Sequence, residues 1–169
     1  MIGEVLFDAD TIAQRVQAIG ASIARDYAHT VPMLVGILDG AAPFLADLTR
    51  AVKIPLEYDV IAVTKFTERE GIRFEKDTSA SIEGRHVLLV DDTIDTGLTL
   101  QYVVKTFRSR QPASLAVCAL LDRPARRIAD IEVTYRGFEI PDVYVVGYGL
   151  DYLGRYRELP ALYAHGAWP

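Results

Sequence analysis

A chain of 169 residues can bury one sizeable core and is too short for two ordinary domains with a linker, so a single domain spanning 1–169 is expected. Its 18 basic and 23 acidic side chains leave a formal charge of -5, which argues against a surface that tracks along nucleic acid and favours small-molecule partners. Half of the residues are hydrophobic, as in a folded protein, yet no apolar run approaches the roughly 20 residues that cross a bilayer.

The first residues turn acidic at once and lack the basic-then-apolar layout of a secretory leader, so a cytoplasmic chain without membrane partners is expected. From 11 to 27, Ile12, Val16, Ile19, Ile23 and Tyr27 recur at steps of three and four, which predicts a helix with Asp10 as its N-cap. Residues 31–38 read as a short buried strand stopped by Asp39-Gly40, with a helix over 42–52. A strand at 56–64 follows.

Residues 65–81 are charged and have no long apolar face; they predict a surface hairpin or a lid. Next come an apolar strand at 87–90, a helix at 99–108 and further apolar runs at 114–121 and 143–147. Cys118, the single cysteine, falls inside one of these runs and reads as core. Strands alternating with helices predict an α/β domain whose sheet is mainly parallel and covered by helices on both faces.

Residues 86–100 read HVLLVDDTIDTGLTL. A buried strand delivers Asp91 and Asp92 to its C-terminal end, where ligands bind in open α/β sheets. The following loop, Asp95, Thr96, Gly97, Leu98 and Thr99, bends at a glycine and opens a helix, an arrangement whose N–H groups and dipole suit a phosphate. Three carboxylates beside a phosphate would repel it unless they reach past it to sugar hydroxyls or hold Mg2+. Either way the ligand is a phosphorylated sugar.

This segment resembles the diphosphate-ribose signature of type I phosphoribosyltransferases; neither a Walker loop nor a dinucleotide fingerprint is present. The blocks LDRPARR at 121–127, GFEIPDVYVVGYGLDY at 137–152 and RYRELP at 155–160 are similar to the hypoxanthine-guanine phosphoribosyltransferases, and the similarity runs from 12 to about 160. The resemblance implies the type I fold, with a small hood and a mobile lid at about 65–81. It also implies Mg2+ and the substrates 5-phosphoribosyl 1-diphosphate and an oxopurine base, giving IMP or GMP and pyrophosphate. Relatives assemble as homodimers or tetramers, so a homo-oligomer is expected.

By the same resemblance, Asp91 and Asp92 hold the ribose, residues 95–99 hold the 5-phosphate, and Asp95 is the general base toward purine N7. Tyr144 stacks on the purine, Val145 reads its edge through the backbone, and Asp151 lies near the base and a metal, to which Asp91 and Asp92 also contribute, directly or through water. Arg123 stands where the family has a lysine for the 6-oxo group. The turn of Leu38, Asp39 and Gly40, commonly cis in the family, and Arg157 contact pyrophosphate, as does Arg127 more weakly.

Two positions depart from the family. Asp39 replaces a residue that is often basic, and Lys65-Phe66 replaces the serine-tyrosine pair that opens the lid. Readings left open are a xanthine-preferring or other-base enzyme, an inactive relative, and a nucleotide-sensing regulator on the same fold.

Overall fold

The computed structural model describes residues 2–64 and 71–166. The expected lid residues Lys65 and Phe66 lie outside that range. Strand β1 (Ile2–Phe7) leads into helix α1 (Ala9–Asp26), then β2 (Pro32–Leu38), α2 (Ala42–Ala51), β3 (Glu57–Val63) and β4 (Phe74–Lys76). The long β5 (His86–Ile94) is followed by α3 (Leu98–Ser109), β6 (Ser114–Asp122) and a short 3-10 turn, η1 (Pro124–Arg126). Strands β7 (Tyr135–Glu139), β8 (Tyr144–Val146) and β9 (Leu162–His165) complete the order.

Six strands form the main sheet in the order β4-β3-β2-β5-β6-β7, all parallel except β4, which pairs antiparallel with β3 as a hairpin arm. The central strands are apolar on both faces because both faces are covered. Along β2 and β5, Leu34, Leu88 and Val90 pack with Ile12, Val16, Phe44 and Leu48 from α1 and α2. Their neighbours Met33, Val35, Val87 and Leu89 point the other way, to Leu100, Val103 and Phe107 of α3. Each such side chain contributes about 1.5–3 kcal/mol on full burial. Cys118 is buried among them, and burial raises its thiol pKa.

Helix α1 begins two residues before the expected position. Asp8, not Asp10, caps it: Asp8 holds extended backbone and its Oδ1 accepts the Thr11 N–H at 2.8 Å, while Asp10 falls in the first turn. A second, three-stranded sheet, β1-β9-β8, stands over the C-terminal ends of the main strands as a hood. Neither β1 nor β9 was expected as a strand. No helix among the described residues is long and apolar enough to cross a membrane.

Candidate active site

All parallel strands of the main sheet present their C-terminal ends on one side, and a cleft of about 620 Å³ opens there beneath the hood. It brings together Leu38, Asp39 and Gly40 after β2, Asp91 and Asp92 at the end of β5, residues 95–99, Arg123 after β6, Tyr144 and Val145 on β8, and Asp151 and Arg157 beyond it. A larger hollow of about 830 Å³ along α3 shares Leu98 with this cleft and contains none of its other groups.

The loop into α3 turns at Gly97, whose φ of +82° places it in the left-handed region that glycine tolerates. Gly97 is also tightly enclosed, since a Cβ there would lie 3.0 Å from Ile131 and 3.1 Å from Arg127. The amide ends and dipole of a twelve-residue helix thus face the cleft beside the hydroxyls of Thr96 and Thr99. On the opposite wall the Leu38–Asp39 peptide is cis, and Gly40 abuts the Asp92 carboxylate so closely that a Cβ would come within 1.5 Å of Oδ2.

Charge is unevenly distributed. Asp39, Glu75, Asp91, Asp92, Asp95 and Asp151 line the cleft against Arg123 and Arg157. Burial and the neighbouring Asp92 charge push the Asp91 carboxyl well above the usual range, partly offset by the Asp92 N–H that it accepts at 3.0 Å. Both arginines already face carboxylates: Arg123 Nη1 lies 3.2 Å from Asp95 Oδ1, and Arg157 Nη2 lies 3.0 Å from Asp151 Oδ1. Arg157 also donates to the Gly149 carbonyl at 2.5 Å, and Asp151 Oδ2 accepts the Gly154 N–H at 2.7 Å.

The wall around Arg123 and Tyr144 is tied together by hydrogen bonds and ring contacts. Arg123 is 4 % exposed and donates through Nη2 to the Val143 carbonyl at 2.8 Å. The Tyr144 phenol donates to the Asp151 carbonyl at 2.7 Å, and desolvation and the Asp151 charge raise its pKa, which keeps it neutral. Behind it, His165 stacks on Tyr152 at 4.2 Å and meets Tyr144 edge-on at 6.1 Å.

Arg127 does not line the cleft. Its Nη2 meets Asp122 and its Nε donates to the Asp95 carbonyl at 3.2 Å, so it supports the loop from behind. Asp122, 1 % exposed, carries a second arginine on Oδ2, Arg136 at 2.8 Å. Sequence reasoning passed over Asp122, although a lone acid ending an apolar strand just before three arginines was a usable signal. Asp122 is buried but its arginines are partly exposed, Arg127 at 19% and Arg136 at 45%, so water takes up part of the charge left behind. Loss of their hydrogen bonds in Asp122→Ala is expected to lower unfolding free energy by about 2 kcal/mol in urea titration. A change within 0.5 kcal/mol, on the order of a surface substitution, would mean that Asp122 holds nothing.

A strand-end cleft that joins a helix start and paired carboxylates to a wall of aromatic and cationic side chains suits a phosphorylated sugar together with a flat, polar ring. Residues 4–153 match the phosphoribosyl transferase domain family. A Bacillus subtilis hypoxanthine-guanine phosphoribosyltransferase is 44% identical over 163 residues, covering 94% of this chain and 91% of its own. The Haemophilus influenzae hypoxanthine phosphoribosyltransferase is 39% identical over the same length, covering 92% and 91%. The crystal structure of a Bacillus anthracis hypoxanthine-guanine phosphoribosyltransferase superposes with a TM-score of 0.94 at 32% identity, covering 98% of this chain and 99% of that one. This chain therefore belongs to the phosphoribosyltransferase family, with the type I fold of those enzymes.

Proposed function

We propose that the chain is a purine-salvage enzyme that transfers the 5-phosphoribosyl group from 5-phosphoribosyl 1-diphosphate to hypoxanthine or guanine, giving IMP or GMP and pyrophosphate. The observation that carries this reading is the joining, in one cleft, of the β5 carboxylates and the α3 phosphate loop with Arg123 and Tyr144. The relatives' names point to the same bases.

In this reading Asp91 and Asp92 bind the ribose hydroxyls, and residues 95–99 bind the 5-phosphate. Tyr144 stacks on the purine, Arg123 donates to its 6-oxo group, and the Val145 carbonyl meets its edge. A purine nitrogen bonds to the anomeric carbon as the carbon–oxygen bond to pyrophosphate breaks. Asp95 takes or shares the N7 proton. The backbone of the cis turn, with Gly40, and Arg157 receive the leaving group, while Asp39 adds no cation there. Arg127 serves the loop's shape and makes no pyrophosphate contact.

The oxygen donors of Asp91, Asp92 and Asp151 suit Mg2+. Among the described residues no three acidic, histidine or cysteine ligands converge on one point, so water and substrate oxygens would complete its shell. When bound, Mg2+ neutralises the pyrophosphate charge in a cleft where carboxylates outnumber arginines. Magnesium chloride alone is therefore expected to leave the thermal midpoint unchanged and to raise it only with the diphosphate donor present; chelation should abolish turnover. A large shift with the ion alone would reveal a preformed cage.

The deciding assay mixes the protein, Mg2+ and the donor with hypoxanthine, guanine, xanthine, adenine or uracil and follows pyrophosphate release. No turnover with any base refutes the proposal, and turnover with xanthine alone reassigns the base. We further expect a homodimer or tetramer, on the strength of the family resemblance, which sedimentation velocity tests.

A further inference from the structure

Residues 123–129 wrap the loop that ends β5. The Arg123 N–H donates to the Ile94 carbonyl at 3.0 Å, Arg127 Nε to the Asp95 carbonyl at 3.2 Å, and the Ile128 and Ala129 N–H groups to the Thr96 carbonyl at 2.9 Å each. Three consecutive carbonyls are thereby taken, which fixes the main chain around Asp95. Its side chain is held in another way. Oδ1 is buried and lies 3.2 Å from both Arg123 Nη1 and Arg126 Nε, without an aligned hydrogen bond to either, so charge holds it.

The two arginines are not equivalent. Arg123 is buried, fixed on the Val143 carbonyl and part of the cleft wall, so an oxopurine that accepts from it competes with Asp95. Arg126 does not line the cleft; it reaches Asp95 from the rim, with its far end 3.8 Å from Asp142 Oδ1. A base in the cleft would therefore not have to displace it from Asp95.

We propose that Arg126 is a positioning residue for Asp95: it retains Oδ1 while the base draws on Arg123, and so keeps Oδ2 turned toward the purine. The Asp95 side chain is 37 % exposed although Oδ1 is buried, which leaves Oδ2 as the oxygen open to the cleft. The inference rests on the reading of Asp95 as the proton acceptor.

Steady-state kinetics of the full chain with hypoxanthine, donor and Mg2+ test it, using Arg126→Ala and Arg126→Lys. The alanine variant is expected to lose about tenfold in kcat, a fraction of what a positioned base supplies, with both KM values within about twofold. Lysine, which keeps the charge, should restore kcat to within about threefold of the parent. In an Asp95→Asn background the alanine change should cost nothing further, because the group that it positions is gone.

Unchanged kcat in Arg126→Ala, a rise in KM alone, no rescue by lysine, or equal losses in both backgrounds overturns the proposal. Should the alanine variant unfold, Arg126→Gln gives the same comparison with the side-chain length kept. A parent chain inactive on every base removes the functional reading and this inference together, whereas an active parent indifferent to Arg126 removes this inference alone.

Discussion

Replacing Asp95 by asparagine is expected to lower kcat by about 10²- to 10⁴-fold while the donor's affinity stays within about twofold. Asparagine has the same shape and cannot take a proton at its amide. The main chain around it is held from behind by the 123–129 segment through the carbonyls of Ile94, Asp95 and Thr96, none of which needs the carboxylate. The loop of residues 95–99 therefore keeps its form. Arg123 keeps the Val143 carbonyl, and Arg126 keeps Asp142 within reach. Single-turnover rates with donor affinity measured by calorimetry check the split, and equal losses in both would show that Asp95 binds the donor and is not the base.

Gly40→Ala is expected to raise the donor KM by about 10- to 100-fold, the worth of one or two hydrogen bonds to a charged group, with little change in thermal midpoint. The backbone of Gly40 lies outside the left-handed region, so alanine brings no strain of its own. What it brings is a methyl 1.5 Å from Asp92 Oδ2 and 2.7 Å from Asp92 Cγ. A short carboxylate side chain yields most readily by rotating, and rotation takes it away from the ribose hydroxyls that we propose it binds. One added carbon on the cis turn thus disables a residue on another strand. A donor KM within twofold of the parent, on the order of ordinary surface changes, would show that Asp92 does not touch the donor.

The parts legible in the sequence are those whose signal is local. Helix α1 shows because Ile12, Val16, Ile19 and Ile23 keep one face. Strand β5 shows because Val87 to Val90 are buried on both sides of the sheet. Strand β1 is mostly exposed, and its alternation is lost to a bulged register with β9, so neither strand announces itself. The cap moved from Asp10 to Asp8 because either acid could serve and only the entry direction of β1 chooses between them.

The site divides the same way. Asp91, Asp92 and residues 95–99 sit in one continuous stretch, and their company is visible. Arg123, Arg126 and Arg127 look alike in sequence, yet one lines the cleft, one meets Asp95 from the rim and one meets Asp122 from behind. Spacing does not separate such roles, because each depends on which carboxylate the fold brings across from β5 or β6.

The hood carries a practical consequence for handling the protein. β9 lies between β1 and β8, so the strand bearing Tyr144 is steadied through β9 by a strand that starts at Ile2. Trimming those first residues would strip β9 of its outer neighbour and leave an unpaired edge open to self-association. An N-terminal affinity tag is therefore not remote from the cleft; it would hang two strands away from the wall that carries Tyr144.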